Sequence, residues 1–215
     1  MTDRASAVVG EDGLTRCAWV GNDPEYRRYH DEEWGRPLHG DQRLFEKIAL
    51  EGFQAGLSWI TILRRRAGFR EAFLGFDIAR VAAMGPHDVE ALMLDARIIR
   101  NRAKIEATIS NARVTLEMNE GELDELVWSF APPAGRRRPN SLGDIPAVTT
   151  ESTALSKTLR SRGFRFVGPT TMYALMRESG SLDALRGLRL LVSGSAPLDP
   201  VLFADIEAAS GQAPV

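Results

Sequence analysis

The sequence predicts an all-α chain with one short βα unit appended at its C-terminal end. Three observations predict it. Apolar residues recur at three- and four-residue steps through most of the chain. Asp, Ser, Pro and Gly punctuate those runs where helices start and stop. After Gly180 the texture changes to a compact apolar run, Leu188 to Val192, followed by a Ser193-Gly194-Ser195 turn.

Taken in order, Asp41 is placed to cap a helix bearing Leu44, Phe45, Ile48 and Ala49, a pattern that Gly52 and Gly56 interrupt. Leu57, Trp59, Ile60, Ile62 and Leu63 form the next apolar stretch. Asp88 is placed to cap a short helix with Val89, Leu92 and Met93. Ile105, Ile109, Ala112 and Leu116 line one face of a longer helix, and Leu123, Leu126, Val127 and Phe130 mark another short one. The Pro- and Arg-rich residues 131–140 read as a loop. Ser152 opens a helix through Leu155 and Leu159 that Gly163 ends. Pro169 suits the first position of a helix through Met172, Tyr173 and Met176 that Gly180 ends. Beyond the Leu188–Val192 strand, Asp199 and Pro200 open a last helix. A single βα unit cannot cover both faces of its strand, so it reads as a fragment of a larger fold.

The 215 residues suit one domain, with 44% hydrophobic and 26% charged residues, which excludes a disordered chain. No apolar run approaches the roughly 18 residues of a membrane span, so no membrane partner is expected. Met1 to Gly10 lacks the apolar segment of a signal peptide. The one cysteine, Cys17, cannot form an internal disulfide, and a cytoplasmic location is expected. Net charge is −2, yet basic residues cluster at Arg64–Arg66 with Arg70, at Arg97–Lys104, at Arg136–Arg138 and at Lys157–Arg165. A near-neutral chain can still present a basic face to nucleic acid; solvated helix ends would give the same clustering.

Four features bear chemistry. Trp19, Tyr26, Tyr29 and Trp34 fall within sixteen residues, a density that suits either a stacking pocket for a planar ligand or a small aromatic core. Cys17 and His30 are zinc-ligand types, but a structural zinc takes four ligands and the chain has no second cysteine. Glu51 sits among apolar residues beside Gly52, as a ligand-reading carboxylate or a helix-end acid. The segment from Asp95 to Ile105 joins two helical patterns by a short basic turn, an arrangement that suits phosphate binding or a plain helical hairpin. Catalytic Ser/His/Asp patterns, phosphate loops and Cys-x-x-Cys pairs are not readable.

Five strings agree in order and spacing with one family: RCAWV from Arg16, DPEYRRYHDEEWG from Asp23, LEGFQAGLSWITIL from Leu50, DARIIRNRAKI from Asp95 and GFRFVGPTTMYALM from Gly163. They resemble the 3-methyladenine DNA glycosylase I family over residues 15–178. The resemblance implies a helix-hairpin-helix fold and a monofunctional enzyme acting as a monomer on alkylated double-stranded DNA. Such enzymes flip a nucleotide and hydrolyse its N-glycosidic bond in base excision repair. It implies that Trp59, Tyr26 and Tyr29 line the base pocket, that Trp19 and Trp34 support it, and that Glu51, the catalytic residue, accepts hydrogen bonds from the adenine edge and favours its positive charge. It implies that Arg97, Arg100, Arg102 and Lys104 hold DNA phosphates. It assigns no Asp to stabilise the sugar cation.

The same resemblance makes Cys17 and His30 two of four zinc ligands. The other two, a His and a Cys, belong to a segment that this chain lacks after Gly180, so zinc is expected only in an incomplete site. Residues 181–215, containing LRGLRLLVSGSAPLDPVLFADIEAASGQ, resemble instead an internal piece of an adenylate-forming acyl-CoA synthetase, without an ATP-phosphate loop. The expected organisation is a flexible N-terminus at 1–14, the glycosylase domain at 15–180 and a foreign fragment at 181–215. Two other readings stand beside the glycosylase: a catalytically impaired DNA-binding remnant, and a ligase-related protein that would bind ATP.

Overall fold

The computed structural model describes residues 7–132 and 146–179. Outside them lie the Arg136–Arg138 cluster, most of the 131–140 loop and the whole 181–215 piece, including its expected βα unit.

The chain begins with a hairpin, β1 (Ala7–Val9) against β2 (Thr15–Cys17), antiparallel with Val8 opposite Arg16. This hairpin occupies part of the arm expected to be flexible, and it forms the strand structure seen among the described residues. Ten helices follow there: α1 (Pro24–Glu32), α2 (Asp41–Gln54), α3 (Trp59–Leu63), α4 (Arg66–Ala72), α5 (Ile78–Ala82), α6 (Pro86–Leu94), α7 (Arg102–Leu116), α8 (Glu122–Ser129), α9 (Thr150–Ser161) and α10 (Pro169–Glu178). No helix among the described residues is long and apolar enough to cross a membrane.

Several helices start a few residues before the expected caps. Gly40 is the N-cap of α2, and Asp41 serves another helix: its carboxylate accepts from the Gly121 and Asp124 amides, at 2.8 and 2.9 Å, and so caps α8. Asp88 is the third residue of α6 and reaches back to the Gly85 amide at 2.8 Å. Ser152 likewise pairs reciprocally with Thr149, the true N-cap of α9. Helix α2 runs unbroken through Gly52, where a Cβ would lie 3.3 Å from the Phe166 Cβ. The glycine there serves close packing rather than termination.

Helix α2 is the hub, packing on α3, α7, α8 and α10. Its Leu44, Phe45, Ile48 and Phe53 are almost fully buried. Phe53, Phe69, Phe73 and Phe76 form a chain of rings with centroids 4.6–6.4 Å apart. Burying each ring contributes roughly 1.5–3 kcal/mol, enough for this core to hold the helices without covalent staples.

The basic turn sits between α6 and α7, anchored by buried Ile98 and Ile105 and capped by Asn101, whose side chain accepts from the Lys104 amide at 3.1 Å. Helix α4 presses on it at Gly68, where a Cβ would fall 2.7 Å from the Arg97 Cβ and 2.9 Å from the Arg97 carbonyl oxygen. Backbone cannot yield as a side-chain tip can. Gly68→Ala is therefore expected to displace the hairpin, lower the melting temperature by the equivalent of about 1–3 kcal/mol of overpacking, and weaken DNA binding. An unchanged melting temperature would contradict the contact.

Candidate active site

The hairpin arm and α1 bring the aromatic stretch together. Trp19 lies edge-on to Tyr26 with centroids 5.0 Å apart, and approaches His30 at 5.5 Å and Trp34 at 6.1 Å. His30 stacks on Trp34 at 5.7 Å. Arg16 clips this arm shut. Its guanidinium donates to Asp12 at 2.7 and 2.9 Å and to Asp31 at 2.7–3.1 Å, and Asp31 meets His30 Nδ1 at 2.9 Å.

The Arg16 bonds, helped by the Leu14 amide, hold the Asp12 carboxyl down to about 2 from an ordinary 3.8. A depressed carboxyl lends stability above its unfolded value, and that stability is lost as pH falls toward the folded one. The arm is thus expected to loosen between about pH 4 and pH 2, read by Trp19 fluorescence, in a step that Arg16→Met abolishes. An acid step that survives in Arg16→Met would refute the clip.

Tyr26 and Tyr29 divide their labour. The Tyr26 hydroxyl accepts from the Ile60 amide at 2.9 Å, in the first turn of α3, so it fixes the helix that presents Trp59. Tyr26 thus acts here as a brace for α3, whereas Tyr29 packs on Trp59 itself. Its ring lies 5.6 Å from that of Trp59, centroid to centroid. Gly56, with φ at +82°, makes the turn that delivers Trp59 from the end of α2.

Glu51 completes this corner. It is buried on the face of α2 that also carries Lys47, one turn earlier. Its Oε1 has no hydrogen-bond partner among the described residues, and the Lys47 ammonium stands 3.7 Å away. Burial pushes the Glu51 carboxyl well above its usual range, the Glu178 charge adds to the rise, and Lys47 opposes it. The indole N–H groups of Trp19, Trp34 and Trp59, and Nε2 of His30, are also buried without partners there. Each such buried donor or acceptor calls for a partner that these side chains do not supply, an ordered water or a bound group.

Two residues of this corner were missed in the sequence. Glu178, the last residue of α10, is buried and bonds both the Tyr29 hydroxyl and the Lys47 ammonium. Lys47 also donates to the Tyr29 hydroxyl at 3.1 Å, and its ammonium lies 4.0 Å from the centre of the Trp59 ring. The signal for Lys47 was its four-residue spacing from Glu51. Nothing local marks Glu178, which a tertiary contact brings in. Burial drives the Tyr29 phenol well above its ordinary value, and the neighbouring Glu178 charge raises it further.

The four expected phosphate ligands separate. Arg97, Arg100 and Arg102 are exposed on the hairpin. Arg97 pairs with Asp95 at 2.7 Å and Arg102 with Glu90 at 2.8 Å. Lys104 is a correction: it is buried, and its ammonium donates to the Phe53 and Ala55 carbonyls, at 3.0 and 2.6 Å. It closes the C-terminal end of α2 instead of facing a phosphate. Loss of water pulls its pKa down to about 8.

Cys17 and His30 are both buried beside the arm. Among the described residues no group of three or more His, Cys, Asp and Glu side chains stands where it could hold a metal ion. Cys17 and His30 supply two of the four donors that a tetrahedral structural zinc takes. Arg177 is buried in the same region, its guanidinium 5.9 Å from the Trp34 ring centre and 5.4 Å from that of Tyr173.

Comparison with known proteins places the chain in a family. A family model described as methyladenine glycosylase matches residues 19–185. The DNA-3-methyladenine glycosylase 1 of Escherichia coli (strain K12) is 49% identical over 173 residues, 79% of this chain and 92% of that protein. A crystal structure of 3-methyladenine DNA glycosylase I superposes with a TM-score of 0.75 at 48% identity, covering 78% of this chain and 94% of its own. A structure of the Staphylococcus aureus enzyme, described for its recognition of 3-methyladenine, gives a TM-score of 0.73 at 33% identity, covering 86% and 97%. With the family model matched across most of the chain and relatives near half identical over nearly their whole length, this chain belongs to the methyladenine glycosylase family.

Proposed function

We infer that this protein is a DNA glycosylase that releases 3-methyladenine from alkylated double-stranded DNA. The observation that carries the reading is the Glu51 carboxylate, buried and open at Oε1, beside a Trp59 face that already attracts a cation. 3-Methyladenine in DNA is a cation, so a π-face and a carboxylate both favour it over ordinary bases. Its charge also makes it a good leaving group. Water adds to the sugar carbon as the carbon–nitrogen bond breaks. The bonding pair moves onto the base and neutralises it, and the water proton passes to solvent.

The hairpin arginines support binding of the flipped strand. The acidic partners of Arg97 and Arg102 are surface pairs that solvent screens, so the guanidinium groups can exchange them for phosphate at little cost. The protein acts as a monomer in the cytoplasm. Purified protein is expected to release free 3-methyladenine from methylated duplex DNA at low salt, and less as salt rises. No release, with helical content intact, would leave a DNA-binding remnant in place of an enzyme.

A further inference from the structure

Resting on that pocket assignment, we propose that Lys47 and Glu178 set its charge selectivity: the Lys47 ammonium occupies the position of the cationic base and is displaced by it, and Glu178 then faces the bound cation together with Glu51. The geometry is specific. The ammonium stands 4.0 Å from the Trp59 ring centre, 5.3 Å from the Tyr29 ring centre and 3.7 Å from Glu51, and pairs with Glu178. These are the partners that a flat cation would seek: two aromatic faces and two carboxylates.

The charge balance makes the exchange selective. Removing the ammonium leaves two adjacent buried carboxylates, which cannot both remain ionised without a counter-charge. A cationic purine restores that charge; a neutral purine of the same shape does not. The site thus rejects ordinary adenine through an unfavourable charge state as well as through weaker stacking. Lys47 sits at the pocket edge, its side chain 13% exposed, so its flexible stem can swing the ammonium outward.

The test uses two probes of equal shape, the 3,9-dimethyladeninium cation and neutral 3,9-dimethyl-3-deazaadenine, titrated calorimetrically at pH 8 against the full chain. Wild-type protein should prefer the cation at least about tenfold, and Glu178→Gln should reduce that preference by a similar factor. Lys47→Met should bind the cation at least about tenfold more tightly than wild type, because no internal cation must leave. If Glu178→Gln unfolds by leaving Lys47 unpaired, the double variant Lys47→Met with Glu178→Gln removes both charges together and must show the same reduced preference. An unchanged preference, or an unchanged cation affinity in Lys47→Met, overturns the proposal and leaves the glycosylase reading standing. Wild-type protein that binds neither probe contradicts the pocket assignment and this proposal with it.

Discussion

Replacing Glu51 by Gln is expected to lower the rate of 3-methyladenine release by about a hundredfold or more, in single-turnover assays on methylated DNA. That is the scale of losing one preorganised electrostatic partner in a water-poor site. Glutamine keeps the size and removes the charge. The bound base then loses the carboxylate that favours its positive form. Stability should move the other way. Because burial raises the Glu51 carboxyl in the folded state, its ionised form weakens the fold, increasingly as pH rises above the unfolded value of 4.5. Glu51→Gln removes that penalty, so its melting temperature at neutral pH should equal or exceed that of wild type. Lost release together with a lost melting transition would mean that Glu51 is a structural acid.

The second large effect belongs to Trp59. It is 1% exposed, so Trp59→Ala would cost about 3–5 kcal/mol of packing and confound any activity measurement. Trp59→Leu is the cleaner exchange, since it keeps an apolar side chain and removes the π-face. A desolvated cation–π contact is worth about 2 kcal/mol, so release should fall at least about tenfold, with Trp59→Phe recovering part of it. Equal rates in the Leu and Phe variants would show that the ring supplies bulk alone.

Much of this site was legible locally. Glu51 and Trp59 stand close in sequence on two successive helices, and Tyr29 lies in a conspicuous aromatic stretch. Periodicity also located the principal helices, because their buried faces repeat every three to four residues. Starts were less legible. Asp41, Asp88 and Ser152 are cap-type residues, yet each lies one to three residues inside its helix. Asp88 and Ser152 bond back to Gly85 and Thr149 at the starts of their own helices, whereas the α8 amides that Asp41 caps are brought to it by tertiary packing.

The charged residues were the least legible. Lys104 resembles its exposed arginine neighbours in the string, but the helical phase of α7 turns it inward with Thr108. Glu178 joins Glu51 only because α10 folds back onto α2. Arg16 becomes a clip only because the hairpin lays it across Asp31. Charge composition alone does not separate these three roles.

The central claim is that the methylated base rests against the Tyr29 and Trp59 rings, where the Lys47 ammonium stands, beside Glu51. It is tested most directly by NMR of the protein with 3-methyladenine carrying an isotope-labelled methyl group. The account predicts an upfield ring-current shift of that methyl and nuclear Overhauser contacts to the ring protons of Tyr29 and Trp59, weakened in Trp59→Leu. Contacts from the methyl to other residues alone, or the same shift in Trp59→Leu, would contradict it.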